Sequence, residues 1–145
     1  MSLNEDLTKQ LLIDEGEKLS AYQDSLGYWT IGVGHLIDAR KGGRITPYIS
    51  RLLLRDDIHE NLAGIIRVLP WVHRLDDARL GVLINLSFNM GVSELLWFKH
   101  MLASLQEGNW DMVADELLNS RYALQVGNRA VRLAKQLRTG VWQYG

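Results

Sequence analysis

With 145 residues, 47% of them hydrophobic, the chain has enough material for one domain with its own core, one that removes roughly two-thirds of the unfolded surface from water. It contains no cysteine, which excludes disulfide staples, a thiol nucleophile and a thiolate metal site. A net charge of −1 gives little support to nucleic acid as the principal partner. Neither a secretory leader nor an apolar run of ~18 residues stands in the sequence, so the expectation is a protein made and kept in the cytosol, with no membrane anchor.

Leu7, Leu11 and Leu12 fall at helical spacing, so a first amphipathic helix is expected from about Asn4, with Glu15 as its last residue and Gly16 as its stop. A short run through Leu19, Ala21 and Tyr22, a turn with Asp24, Ser25 and Gly27, and a strand from Tyr28 to Val33 predict a β-hairpin. Gly42 and Gly43 mark a loose turn. Thr46 then reads as an N-cap with Pro47 at the first helical position, and Ile49, Leu52, Leu53, Ile58 and Leu62 carry a long helix to about Arg67. Pro70 ends that region, and Asp76 or Asp77 caps a helix that is apolar on most faces until Gly91. Further helices are expected over Leu95 to Gln106, Trp110 to Leu118 capped by Asn109, and Arg129 to Arg138 capped by Asn128. The fold class is α+β, mostly α: a small lobe with a minimal antiparallel sheet at about residues 13–58, and a larger helical lobe formed by residues 1–12 and 59–145.

The chemistry is concentrated in residues 13–37. A carboxylate at the negative end of a helix dipole, with Asp14 beside it, is biased towards its protonated form, which suits Glu15 to general acid work. Asp24, in a wet turn, is expected to stay ionised. Two carboxyls in unlike environments are how acid and base roles are divided in glycoside hydrolysis. Either one alone is an ordinary solvated group. The joint pattern is what counts: a glutamate, eight residues, an aspartate, five residues, a threonine, then Ile31-Gly32-Val33-Gly34-His35. Gly32 and Gly34 do not form a dinucleotide loop, because no helix follows and the third glycine is missing; close approach of a ligand or a neighbouring strand would explain them. His35 reads as a hydrogen-bonded structural residue. His59, His73 and His100 lack ligand spacing, so no metal and no cofactor is assigned. The tryptophans are expected mostly in the core, with Trp29 alone placed near a substrate.

The order and spacing of Glu15, Asp24, Thr30, Ile31, Gly32, Gly34 and His35 resemble those of the T-even phage lysozymes, the endolysins of glycoside hydrolase family 24. LINLSFNMG, ending at Gly91, is similar to the family's central buried helix, and NRAVRLAKQLRTGVW, from Asn128 to Trp142, to its C-terminal segment. The resemblance implies a lysozyme-like fold and cleavage between N-acetylmuramic acid and N-acetylglucosamine in peptidoglycan. It implies Glu15 as the acid, with Asp24 and Thr30 holding the attacking water for an inverting reaction. It implies Leu36, Phe88, Asn89, Asn128, Arg129 and Arg132 as residues that line or brace the cleft, and a structural pair of His35 with Asp56. It also implies a monomer needing a holin-type pore to reach the wall. The chain departs from the family in a shorter loop between His35 and Thr46, and in Asn89, one methylene shorter than the family's glutamine.

Rival readings are a lytic transglycosylase, a chitin-cleaving glycosidase and a catalytically dead wall-binding module; Asp24 with Thr30 weighs against the first, and the intact trio against the last. Beyond Glu116 there is no acid, whereas Arg121, Arg129, Arg132, Lys135 and Arg138 follow. This run is either a solvated face or a steering patch for an anionic polymer, with Arg129 and Arg132 turned to the cleft.

Overall fold

The computed structural model describes residues 3–23, 26–33, 35–36 and 44–144. Helix α1, Leu3–Glu15, is closed by Gly16, whose amide donates to the Leu12 carbonyl at 3.1 Å and whose φ of 70° lies in the left-handed region open to glycine. Strands β1 (Lys18–Gln23), β2 (Trp29–Gly32) and β3 (His35–Leu36) follow as an antiparallel sheet in the order β1-β2-β3. Tyr22 pairs with Thr30 and Gln23 with Trp29, while Thr30 pairs on its other side with Leu36. Between the pairs Lys18–Gly32 and Tyr22–Thr30 the register shifts, so the pairing of β1 with β2 is irregular there. Gly32 has φ 68° there, and a Cβ on it would find nothing within 4 Å. Of the two expected reasons for this glycine, close approach of a neighbouring strand is therefore corrected: backbone conformation requires it.

Helix α2, Pro47–Val68, starts as its sequence indicates, with the Ile49 amide donating to Thr46 Oγ1 at 3.2 Å. The chain divides into two compact units, residues 1–53 and 54–145, and the division falls within α2. In the second unit a 3₁₀ turn, Pro70–Arg74, leads to α3, Asp77–Met90. Of the two candidate caps, Asp76 is the one used: its carboxylate accepts from the Arg79 amide. Helices α4 (Val92–Leu95), α5 (Lys99–Glu107), α6 (Trp110–Leu118), α7 (Arg121–Val126) and α8 (Asn128–Thr139) complete the unit. Asn109 caps α6 by accepting from the Met112 amide, and left-handed glycines 108 and 140 end α5 and α8.

Two expectations are corrected, and one helix was not foreseen. The helix expected from Leu95 breaks at Leu96–Phe98, because the chain turns to pack Phe98 against the core. The six-residue α7, capped by Ser120, is too short to show a period in the sequence. Asn128 does not cap α8; it is the first helical residue, Gly127 precedes it with φ 58°, and no side chain caps that end.

The core of this unit is apolar and well closed. Ile65, Val82, Leu83, Leu86, Leu117 and Leu137 are fully buried, each worth about 1.5–3 kcal/mol of apolar transfer. Arg79 ties α3 to the end of α8: Nε donates to the Leu137 carbonyl at 2.7 Å and Nη2 to the Arg138 carbonyl at 3.1 Å, while its guanidinium lies 3.8 Å over the Trp110 ring. Arg79→Met is expected to lower unfolding free energy by about 2–3 kcal/mol, since it leaves helix-end carbonyls without a charged donor. Denaturant unfolding measures this, and a loss below roughly 0.5 kcal/mol, the level of an ordinary surface substitution, would show that the arginine holds nothing.

Candidate active site

Glu15 is the last residue of α1 and is exposed, and Gly16 and Glu17 alone separate it from β1. Asp24 follows the last residue of β1 in the sequence and lies outside the described residues, as do Gly34 and the turn at Gly42 and Gly43. Thr30 is 5% exposed on the middle strand, and its hydroxyl donates to the Tyr28 carbonyl at 3.3 Å. That bond occupies the hydroxyl proton and leaves oxygen lone pairs to accept from another donor. Leu36, paired across from Thr30, is 44% exposed, and Trp29 is 37% exposed. Thr30 and Leu36 thus pair within the unit of residues 1–53, which also holds Glu15. The side chain of His35 lies outside the described residues, and Asp56, its expected partner, is exposed on α2.

In the helical unit the expected residues fall into different settings. Phe88 and Asn89 are exposed at the end of α3, Asn128 is exposed at the start of α8, and Arg129 and Arg132 are half-buried. Asn89 helps to line an open pocket of about 910 Å³ with Glu94, Trp97, Arg121 and Tyr122. Trp97 is 82% exposed at this pocket, which corrects its expected place in the core. Trp71 and Trp110 do pack against the core as expected. Arg129 is gripped from α3, where Asn85 Oδ1 accepts from its Nε at 3.2 Å and its Nη2 at 2.7 Å. Arg138 is held at 2.7 Å by Asp111 and 3.0 Å by Asp115, so acids from α6 offset part of the cationic run at the chain's end. Those carboxylates hold the Arg138 guanidinium further above its ordinary range. Among the described residues, Asp56, Asp57 and Glu60 stand together on the exposed face of α2, an acidic trio with no histidine in it.

Residues 13–138 match the phage lysozyme family. The chain belongs to the phage lysozyme family. It therefore stands among the lysozyme hydrolases. The chain is similar to "Probable T4-type lysozyme 1" of Dictyostelium discoideum, 33% identical with 90% of this chain and 92% of the relative covered. It is also similar to the endolysin of Salmonella phage P22, 32% identical over 81% of this chain and 82% of the relative. A third relative, the pre-baseplate central spike protein of Enterobacteria phage T4, is 26% identical over 94% of this chain, which spans 28% of that protein.

For this phage lysozyme family member the sequence pattern missed Asn85, Tyr122 and Trp97. Asn85 and Arg129 are separated by 44 positions, and no spacing rule links them. Tyr122 is 7% exposed, and its hydroxyl has no hydrogen-bond partner among the described residues. Burial pushes that hydroxyl above its ordinary pKa, and the nearby Arg129 charge partly opposes the shift.

Proposed function

We propose that the protein is an endolysin-type muramidase that hydrolyses the β-1,4 bond between N-acetylmuramic acid and N-acetylglucosamine of bacterial peptidoglycan, with inversion, and so lyses the host. One observation carries the reading: Glu15 closes α1 directly before the hairpin and Thr30 sits buried on its second strand, inside a family match over residues 13–138. The match to the phage lysozyme family supports peptidoglycan as the substrate. In this reading Glu15 protonates the leaving oxygen. The attacking water gives one proton to Asp24 and hydrogen-bonds through the other to Thr30 Oγ1, whose own proton is engaged by Tyr28. The water's lone pair is then left to face the anomeric carbon. Leu36, Phe88, Asn89, Asn128, Arg129 and Arg132 contact or brace the sugar chain. Residues 1–145 act as a single domain and a monomer, and the reaction uses no cofactor.

Among the described residues no helix is long and apolar enough to cross a membrane. In this reading the protein is made in the host cytoplasm, and a separate holin-type pore gives access to the wall. Expressed alone in a Gram-negative cell, it is expected to leave cells intact until chloroform opens the inner membrane, and then to clear them. Mass spectrometry of the released fragments is expected to show reducing N-acetylmuramic acid ends. Anhydro ends would reassign the chain as a transglycosylase, and no fragments at matched protein levels would refute the muramidase reading. Clearing before chloroform would overturn the pore requirement alone.

A further inference from the structure

A small pocket of about 150 Å³ lies in the helical unit, lined from the 3₁₀ turn Pro70–Arg74, the end of α5 and the start of α6. Two of the chain's five tryptophans border it. Trp71 and Trp110 are half-buried against the core, and the Arg79 guanidinium, 3.8 Å over the Trp110 ring, holds that indole in place. Leu105, 1% exposed, gives the pocket an apolar base. The remaining lining includes Arg74, Gln106 and Glu107, all exposed, whose side chains make no hydrogen bond or ion pair among the described residues. A guanidinium donates, a carboxylate accepts and an amide does both. With one cation and one anion the lining has no net charge, so it favours neither an anionic nor a cationic ligand. Its volume falls below the ~300 Å³ at which pockets for drug-sized ligands begin, so it takes a single ring. Indoles, an apolar base and unengaged polar groups suit a neutral pyranose, which carries C–H bonds on its face and hydroxyls round its edge.

We propose that this pocket is a second glycan-binding site: Trp71 and Trp110 receive a neutral N-acetylhexosamine ring of the wall polymer, and Arg74, Gln106 and Glu107 hydrogen-bond its hydroxyl and acetamido groups. The inference rests on the muramidase reading above, because that reading supplies a polymer of such rings. None of these five residues is among those assigned to the reaction. A polymer held at a second point is kept at high effective concentration near the enzyme, so the site strengthens the grip on long strands and adds little on short fragments.

The test follows the indole N–H resonances of the Glu15→Gln protein, which does not consume its ligand, during titration with the trimer of N-acetylglucosamine. Trp71→Phe and Trp110→Phe assign the two signals, which are expected to move together. The double variant Arg74→Ala/Glu107→Ala removes one charge of each sign, so the net charge stays at −1 and long-range attraction to an anionic wall is unaltered. Both side chains are exposed and unpartnered among the described residues, so the unfolding temperature should not change. The variant is expected to weaken the titrated affinity about tenfold, the size of two lost hydrogen bonds. In the catalytically intact background it should raise the half-saturating concentration of insoluble wall about fivefold more than that of short glycan fragments. Unmoved Trp71 and Trp110 signals, or equal effects on wall and fragments, overturn the proposal. Movement with a short peptide and not with the trimer also overturns it, by making the pocket a peptide site. A wild-type protein that cleaves no wall glycan, with both signals still moving, defeats the muramidase reading instead, because the titration reads binding without cleavage.

Discussion

Glu15→Gln is expected to lower wall lysis by about 10² to 10⁴-fold while leaving thermal unfolding unchanged. The glutamine is nearly isosteric, and the side chain it replaces is exposed at the last position of α1, so no packing is altered. The helix stop is also untouched, because it depends on Gly16 and its bond to the Leu12 carbonyl. What changes is the ability to give a proton to the glycosidic oxygen as the bond breaks. An amide has none to give at any working pH, and an alkoxide leaving group on a sugar is too basic to depart unaided. Turbidity of a wall suspension provides the rate, and calorimetry the stability control. A variant that kept a tenth or more of wild-type activity at equal unfolding temperature would remove Glu15 from the acid role.

The elements read most readily in the sequence are those whose ends are set locally. Gly16, Gly108 and Gly140 each stop a helix by taking up a φ of 70–79°. Thr46 and Asn109 each accept from a backbone amide three residues on, within the reach of a single side chain. Features set by distant packing were hidden. Nothing between Leu95 and Lys99 is a helix breaker by composition; the break follows from the pull of the core on Phe98, while Trp97 is left exposed. Gly32 was visible as an oddity in a strand, but its cause, a left-handed backbone at the last residue of β2, is not written in the composition around it.

The candidate site divides in the same way. The positions of Glu15 and Thr30 in the fold were legible because local signals set them: Gly16 stops α1 at Glu15, and the aromatic and β-branched run puts Thr30 on β2. Resemblance singled out Arg129, but its partner Asn85 was not foreseen. The Asn85–Arg129 bond joins α3 to α8, and only tertiary packing decides which of the chain's asparagines meets which arginine. The same holds for the charge at the chain's end. As a sequence it is an unbroken cationic run, but in space Asp111 and Asp115 on α6 bind Arg138. Any steering of an anionic polymer therefore falls to the remaining cations, Arg121, Arg132 and Lys135, together with Arg129.

Asp24→Asn is expected to be as severe as a loss at the acid position, roughly 10²-fold or more, because an amide oxygen cannot take the proton that water must shed as it attacks. Thr30→Ala should be milder. It removes one hydrogen-bonding group worth about 1 kcal/mol, or several-fold in rate, since the Tyr28 carbonyl and not the water holds the hydroxyl proton. The inequality between these two variants separates a proton acceptor from a positioning group. The stereochemistry of the product tests the same assignment from the substrate's side. If Asp24 activates a water on the face opposite the leaving group, the first product of a β-linked glycan carries the α anomer, and mutarotation follows later. Proton magnetic resonance of the earliest product resolves the two anomers directly. A β anomer would require a covalent glycosyl-enzyme and a second displacement. Asp24 would then be the nucleophile, and Thr30 Oγ1 would have no water to hold in the first step.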